Sequence, residues 1–255
     1  MTLLITELHV QTGWDEPVIV FGADRRISAG QDRRSDRQKI YPIPWLRAGI
    51  GYAGLAQVEM PSSRLRVPMN EHLLDFEQRI RASNPSCSLA DYARALAAEL
   101  DRVVAEAVRR KERAAIHLAG FNKEGQPEFW SVQNVAGAER AFLAREDFQQ
   151  RDARGLSRGE VAVYRQGIIE AHEQAWKPLE DAFGGLRRGE LFKRLTTPAD
   201  YADWLAFKLS MIAQLYERYS AVSRIGNPVD AFAINPAGAT ELVTLSWQAP
   251  SFIPK

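Results

Sequence analysis

Several features that would mark other classes of protein are scarce in this sequence. Cys87 is the only cysteine among 255 residues, so the chain cannot form an internal disulfide, and a lone thiol suits a reducing compartment. No apolar run approaches the roughly 20 residues of a membrane span. The 33 Lys and Arg residues balance 32 Asp and Glu residues, which leaves a formal net charge of +1. A chain without excess charge of one sign lacks the general field that attracts nucleic acid or anionic membranes.

Signals for metal binding and secretion are missing as well. The four histidines lack metal-ligand spacing, so they are expected to have packing or surface roles; they are His9, His72, His117 and His172. The residues after Met1 include no basic segment and only a short apolar stretch, unlike a secretory signal peptide. The sequence therefore predicts a cytoplasmic protein that binds no metal, cofactor, nucleic acid or membrane.

The sequence does contain the hydrophobic content of a globular domain, 45%, arranged in a regular order. Runs of β-branched and apolar residues predict strands, while apolar residues at helical spacing predict helices. The main predicted strands cover residues 2–10, 17–23, 38–43, 46–52, 114–121, 128–132, 228–234 and 240–247, and the predicted helices cover 71–82, 88–110, 158–183 and 197–220. This order predicts an α+β fold, a four-layer αββα sandwich of two antiparallel sheets between helix layers, and residues 1–255 are expected to form a single domain.

Thr2 follows the initiator Met1 and begins the first apolar run. A hydroxyl is a poor nucleophile until a base removes its proton, and a free α-amine, which titrates near ~8, is such a base. Removal of Met1 would place both groups on Thr2. Met-Thr is also an ordinary way for a protein to begin, so Thr2 alone predicts little.

Five segments give Thr2 a context through their order and spacing. They are Thr2-Leu3-Leu4-Ile5, Gly22-Ala23-Asp24-Arg25-Arg26, Lys39-Ile40, Gly51-Tyr52-Ala53-Gly54 and Gly226-Asn227-Pro228-Val229-Asp230. Together they resemble the proteasome β-type family of N-terminal-nucleophile (Ntn) hydrolases, in its bacterial proteasome-homologue branch. The resemblance implies a threonine-type endopeptidase. Since Met1 alone precedes Thr2, methionine excision is expected to be its activation step.

The resemblance also implies a role for each residue of the site. Thr2 would be the nucleophile, and the positive charge of Lys39 would lower the cost of forming its alkoxide. Asp24 would pair with Lys39 and hold it in place, while Arg26 would lock the surrounding loop against the rest of the fold. The backbone N–H of Gly54 would face the oxyanion of the tetrahedral intermediate.

Substrate contacts follow from the same comparison. Ser28 stands where the family holds an extended peptide, and the residues that resemble the primary pocket are Ile27, Arg37, Tyr41, Tyr52, Ala56 and Met60. These residues are mostly apolar and bulky, so we expect a preference for small or medium apolar side chains. The family also implies a homo-oligomeric ring, an unfoldase or regulator as partner, and peptides or unfolded proteins as substrates.

Two parts of the family pattern have no clear counterpart here. A second hydroxyl that supports the nucleophile could come from Ser220 or Ser223, and the spacing does not decide between them. Residues 136–195 form a longer segment than is usual in the family and could be a surface insertion that affects assembly or access.

Other interpretations of the same residues stay open at this point. Asp24 and Arg26 could form a surface pair in a charged turn, Lys39 could be a solvated lysine, and Gly54 could serve only a turn. At the level of the whole protein, the alternatives are a ring-forming homologue without activity and an Ntn amidase that acts on a small amide.

Overall fold

The structure is a computed structural model that describes most of the chain. The described residues are 3–10, 17–29, 33–59, 65–136, 139–146, 161–167, 172–187, 195–220 and 225–246. Met1, Thr2, Met60 and Ser223 therefore lie outside the described residues. Within the described ranges, strands come first and three helices follow, and then come four strands, two helices and a final group of strands.

The strands fall into two large antiparallel sheets and two short hairpins. In chain order they are β1 (Leu3–His9), β2 (Val18–Asp24), β3 (Arg26–Ala29), β4 (Arg33–Asp36), β5 (Ile40–Ile43), β6 (Ala48–Ala53), β7 (Gln57–Glu59), β8 (Arg66–Pro68), β9 (Ala115–Phe121), β10 (Pro127–Ala136), β11 (Ala141–Glu146), β12 (Val161–Gly167), β13 (Val229–Asn235), β14 (Gly238–Ala239) and β15 (Val243–Leu245). The first sheet has the order β12-β1-β2-β13-β14, with β15 also on β13, and the second has the order β11-β10-β9-β6-β5. The hairpins are β3-β4 and β7-β8.

The helices pack on the outer faces of these sheets. They are α1 (Met69–Ser83), α2 (Leu89–Val103), α3 (Glu106–Arg109), α4 (Lys177–Arg187) and α5 (Pro198–Tyr219), with a 3₁₀ turn at Pro44–Leu46 and a π-helical turn at His172–Trp176. None of the helices that the structure describes is long and apolar enough to cross a membrane.

Three layers of buried apolar side chains separate the four layers of the fold. The layer between the sheets includes Leu4 and Phe21 from the first sheet and Ile40 from the second. A second layer joins the β5-β6-β9-β10-β11 sheet to α1 and α2, and a third joins the first sheet to α5. This arrangement confirms the predicted αββα sandwich, in which each sheet buries both of its faces.

The predicted helix starts are confirmed in detail. Ser88 Oγ accepts a hydrogen bond from the N–H of Asp91 at 3.1 Å, and Thr197 Oγ1 accepts one from the N–H of Asp200 at 3.2 Å. In both helices the aspartate side chain in turn accepts a hydrogen bond from the backbone N–H of the capping residue, which completes a capping box. Pro198 begins α5, where its missing N–H is no loss.

Two predicted helices are wrong in part. Residues 161–167 of the helix predicted over 158–183 form β12, which pairs with β1 along its whole length. The exposed edge of β1 offers backbone partners that the sequence pattern does not reveal, and residues such as Val161 and Tyr164 suit a strand. The helix predicted over 88–110 ends at Val103, because Val104 adopts an extended conformation and is buried in the core.

A buried ion network ties the outer helices to β1. Lys208 of α5 donates a hydrogen bond to Glu7 Oε1 at 2.7 Å and also contacts the carboxylate of Glu180 on α4. His9 lies 2.8 Å from the other oxygen of Glu7. Burial raises the pKa of Glu7, but Lys208 and His9 outweigh this effect and lower it to about 2. The Glu7 carboxylate is thus kept charged inside the protein by its partners.

We expect the substitution Lys208→Met to lower the free energy of unfolding by about 3–5 kcal/mol, because it leaves the buried Glu7 carboxylate without its main cationic partner. Urea denaturation at neutral pH measures this change. The matched control is Lys177→Met, since Lys177 is an exposed lysine of α4, and its effect should stay within about 0.5 kcal/mol.

The difference in the free energy of unfolding between the wild type and Lys208→Met should depend on pH. The charge of Glu7 stabilises the wild type fully above pH 4.5, its usual pKa, and the stabilisation is lost as pH falls towards about 2. The two proteins should therefore approach each other in stability below pH 4.5. A difference that stays constant down to pH 2 would show that lost packing, and not charge, explains the destabilisation.

Candidate active site

The pairing of β1 with β2 brings the start of the chain beside Asp24. Leu4 lies opposite Ala23 in this pair, and the N–H of Leu3 donates a hydrogen bond to Asp24 Oδ1 at 2.8 Å. Leu3 and Asp24 are both fully buried. The Leu3 nitrogen belongs to the amide that joins Leu3 to Thr2, so Asp24 is hydrogen-bonded to the residue that directly follows Thr2.

Lys39 reaches the same carboxylate from the second sheet. Its ammonium donates hydrogen bonds to Asp24 Oδ1 at 3.2 Å and to the carbonyl of Arg26. The backbone at Lys39 is fixed in turn, because its carbonyl accepts the N–H of Tyr52 at 3.1 Å. One carboxylate oxygen thus places the Lys39 ammonium within two hydrogen-bond lengths of the Leu3 nitrogen.

The charges of this pair are strongly affected by burial. Only 1% of Lys39 and 0% of Asp24 are exposed, which excludes a solvated lysine and a surface ion pair. Burial lowers the pKa of Lys39 and the charge of Asp24 opposes this effect. Burial also raises the pKa of Asp24, against the effect of Lys39 and of the Leu3 N–H. Burial is thus the largest influence on both groups and favours the neutral form of each, while their mutual attraction favours the ion pair.

Arg26 connects this centre to the C-terminal part of the fold. Its guanidinium donates to Glu217 Oε1 at 2.6 Å and to the carbonyl of Ile225 at 3.3 Å. A Cβ on Gly226 would lie 2.3 Å from the Arg26 guanidinium carbon, so the arginine packs directly on the glycine backbone. The same Glu217 oxygen accepts the N–H of Asn227 at 3.0 Å. Arg26 thus links β3 to the end of α5 and to the segment before β13.

Gly54 follows the end of β6 in a conformation that requires glycine. Its φ angle is +94°, and a Cβ at this position would lie 1.9 Å from the carbonyl oxygen of Arg113. A side chain would therefore meet backbone and not a movable group. The structure places Gly54 directly after the strand that carries Tyr52, which is hydrogen-bonded to Lys39.

The predicted substrate contacts divide into three groups. Tyr41 and Tyr52 are buried, and Ala56 is half-buried. Ile27 and Ser28 lie in β3, opposite residues of β4. Met60 lies outside the described residues. Of the two serines considered as supports for the nucleophile, Ser223 also lies outside them, and Ser220 is the C-cap of α5 and donates its N–H to the carbonyl of residue 216.

Sequence reasoning missed a second ion pair at the site. Arg25 donates to Asp230 Oδ2 at 2.7 Å and to Thr244 Oγ1 at 3.1 Å, and this hydroxyl donates to Asp230 Oδ1 at 2.8 Å. The backbone N–H of Arg25 also binds the carbonyl of Pro228 at 3.0 Å. Sequence reasoning also missed Glu217, which is the ion-pair partner of Arg26. No local pattern signals these contacts, because the partners lie about 200 residues apart in the chain.

Among the residues that the structure describes, no group of three His, Cys, Asp or Glu side chains is arranged to hold a metal ion. The chemical effect that the described residues can supply is electrostatic stabilisation. A buried ammonium beside the first residues of the chain stabilises any negative charge that develops there.

Comparison with known structures gives the arrangement a wider context. No protein-family model and no curated protein sequence matches the chain. Its fold is similar to that of Anbu (ancestral beta-subunit) from Yersinia bercovieri, with a TM-score of 0.57 over 94% of this chain and 86% of that chain. The two sequences are 11% identical. The chain has a proteasome-like fold. In this proteasome-like sandwich, the β1-β2 pair and β5 meet at the candidate site.

We expect Gly54→Ala to be more destabilising than Gly125→Ala, although both glycines have positive φ angles. An alanine at position 125 meets nothing within 4 Å, so its cost should be limited to roughly 1–2 kcal/mol of backbone strain. At position 54 the clash with the Arg113 carbonyl adds to this strain. Thermal unfolding of both variants measures the difference, and equal losses would contradict the close backbone approach.

Proposed function

We propose that the protein is a threonine-type endopeptidase of proteasome-like type, in which Thr2 becomes the nucleophile after Met1 is removed. The observation that carries the proposal is the shared oxygen of Asp24, which accepts both the Leu3 N–H and the Lys39 ammonium. This contact holds the buried Lys39 ammonium next to the peptide bond that joins Thr2 to Leu3.

The proposed reaction uses the new α-amine of Thr2 as the base. The amine accepts the hydroxyl proton, and Lys39 lowers the cost of the negative charge on the oxygen, which attacks the peptide carbonyl. The backbone N–H of Gly54 stabilises the oxyanion of the tetrahedral intermediate. Its collapse passes the proton to the leaving amine and leaves an ester on Thr2. A water molecule, deprotonated by the same α-amine, then hydrolyses the ester and restores the hydroxyl.

Positioning residues keep this centre in place. Asp24 orients Lys39 through their ion pair, and Arg26 anchors the adjacent strand through Glu217. Among the described residues β3 pairs only with β4, so the backbone around Ser28 is suited to receive an extended peptide as a further strand.

The proposal extends to the assembly. Its structural neighbour is described as an ancestral beta-subunit, which supports a homo-oligomeric ring of single-domain subunits that span residues 1–255. An unfoldase or regulator would deliver peptides or unfolded proteins to such a ring in the cytoplasm. Residues 136–195 would then act as a family-atypical insertion that modulates assembly or access, in addition to the strands β11 and β12 that this segment contributes to the two sheets.

Mass spectrometry of the purified protein should show a chain that begins at Thr2, and Thr2→Ala should abolish hydrolysis of a fluorogenic peptide library. Loss of the hydroxyl removes the nucleophile, so the expected reduction is more than about 1,000-fold. Thr6→Ala is a matched control within the described residues, since its hydroxyl hydrogen-bonds to His117 and is separate from the Asp24 carboxylate.

The outcomes separate the alternatives. A retained Met1 with no turnover would indicate a ring-forming homologue without activity. Hydrolysis of small amides without hydrolysis of peptides would indicate an amidase. Peptide hydrolysis that persists in Thr2→Ala would show that the nucleophile lies elsewhere and would refute the proposed mechanism.

A further inference from the structure

The basic residues around the candidate site are not all neutralised. Among the described residues, three of them each hold one carboxylate. These pairs are Arg25 with Asp230 at 2.7 Å, Arg26 with Glu217 at 2.6 Å and Lys39 with Asp24 at 3.2 Å. Arg37 lies in the same part of the chain and forms no ion pair with a described carboxylate. Its neighbour Asp36 is exposed and does not pair with it.

Arg37 is also partly withdrawn from water. The residue is half-buried, and its Nη1 atom is fully buried without a hydrogen-bond partner among the described residues. A buried donor without an acceptor is costly, and a buried donor on a cation is more so. The arrangement is therefore incomplete until an acceptor occupies this position.

The backbone directs Arg37 to the same side as the catalytic pair. The N–H of Arg37 binds the carbonyl of Arg25 at 2.9 Å, and in an extended chain the side chains of residues 37, 39 and 41 share one face. Tyr52 lies across from Lys39, through the hydrogen bond from its N–H to the Lys39 carbonyl. Tyr52 is thus held across from Lys39, and the charge of Arg37 reaches the Tyr52 hydroxyl.

The hydroxyl of Tyr52 is the second group without a partner. Its oxygen is buried and makes no hydrogen bond with a described residue. Burial raises the pKa of Tyr52, and the positive charge of Arg37 opposes this effect while the negative charge of Asp24 adds to it. The phenol therefore stays protonated, able to donate a hydrogen bond, and it lies within the electrostatic reach of both Arg37 and Asp24.

We propose that Arg37 and the Tyr52 hydroxyl bind a carboxylate of the substrate, so that cleavage is favoured after an acidic residue. A carboxylate accepts from a guanidinium with two oxygens, and it supplies the charge that Arg37 lacks. This inference rests on the proposed peptidase function. It differs from the small or medium apolar side chain that the sequence led us to expect, because Arg37, one of the residues expected to line the pocket, pairs with no carboxylate among the described residues.

The test compares fluorogenic tetrapeptides that differ only in the residue before the cleaved bond, which is Glu, Gln or Leu. For the wild type, kcat/KM should be about 10-fold or more higher with Glu than with Gln, the effect of one charged hydrogen-bonded contact. In Arg37→Met this ratio should fall to about 1, while Arg37→Lys, which keeps the charge, should retain part of it. Arg145→Met is the matched control, because Arg145 is an exposed arginine of β11, and it should keep the wild-type ratio.

Other results would overturn the inference while the peptidase function stands. They are a wild type that prefers Leu over Glu, an unchanged Glu-to-Gln ratio in Arg37→Met, or an equal loss on both substrates that marks Arg37 as structural. If the wild type cleaves none of the peptides, the proposed function fails first. The binding of the same Glu and Gln peptides to Thr2→Ala, measured by calorimetry, then decides the inference separately. Tighter binding of the Glu peptide that depends on Arg37 supports it, and equal binding refutes it.

Discussion

The Oδ1 atom of Asp24 connects the two sheets of the sandwich at the place where the chain begins. It accepts the Leu3 N–H from the first sheet and the Lys39 ammonium from the segment that leads into β5 of the second. Both groups are buried, so neither can exchange its partner for water without a large cost in free energy. The position of the first residues relative to the cation therefore depends on this one atom.

Asp24, Arg25 and Arg26 distribute the tertiary contacts of the site among three different elements. Asp24 faces Leu3 and Lys39, Arg25 pairs with Asp230 on β13, and Arg26 pairs with Glu217 at the end of α5. Successive residues of an extended chain point in different directions, so a short run of charged residues can reach three partners at once. This explains why Asp24 and Arg26, which could have formed a surface pair in a charged turn, are both buried.

On both sides of the first sheet, the buried carboxylates of the described residues are each paired with a cationic side chain. Glu7 is kept ionised by Lys208 and His9 beneath the helices, and the acidic groups of the candidate site are held by Lys39 and the two arginines. In each case the attraction within the pair opposes the cost of desolvating both partners. Arg37 departs from this rule, since its buried nitrogen has no partner among the described residues. A departure of this kind at the edge of a candidate site is where a ligand group is expected.

By itself the sequence determined what depends on near neighbours. Hydrophobic periodicity placed most strands and helices, and the capping boxes at Ser88 and Thr197 marked two helix starts. The spacing of Asp24, Lys39 and Gly54 after Thr2 carries the resemblance from which the candidate site is predicted. The tertiary structure decided the rest. It made residues 161–167 a strand, because the edge of β1 was open, and it chose Glu217 and Asp230 as partners of the arginines from about 200 residues away. Contacts at such separation leave no local pattern, because only the folded chain sets which side chains share a buried space.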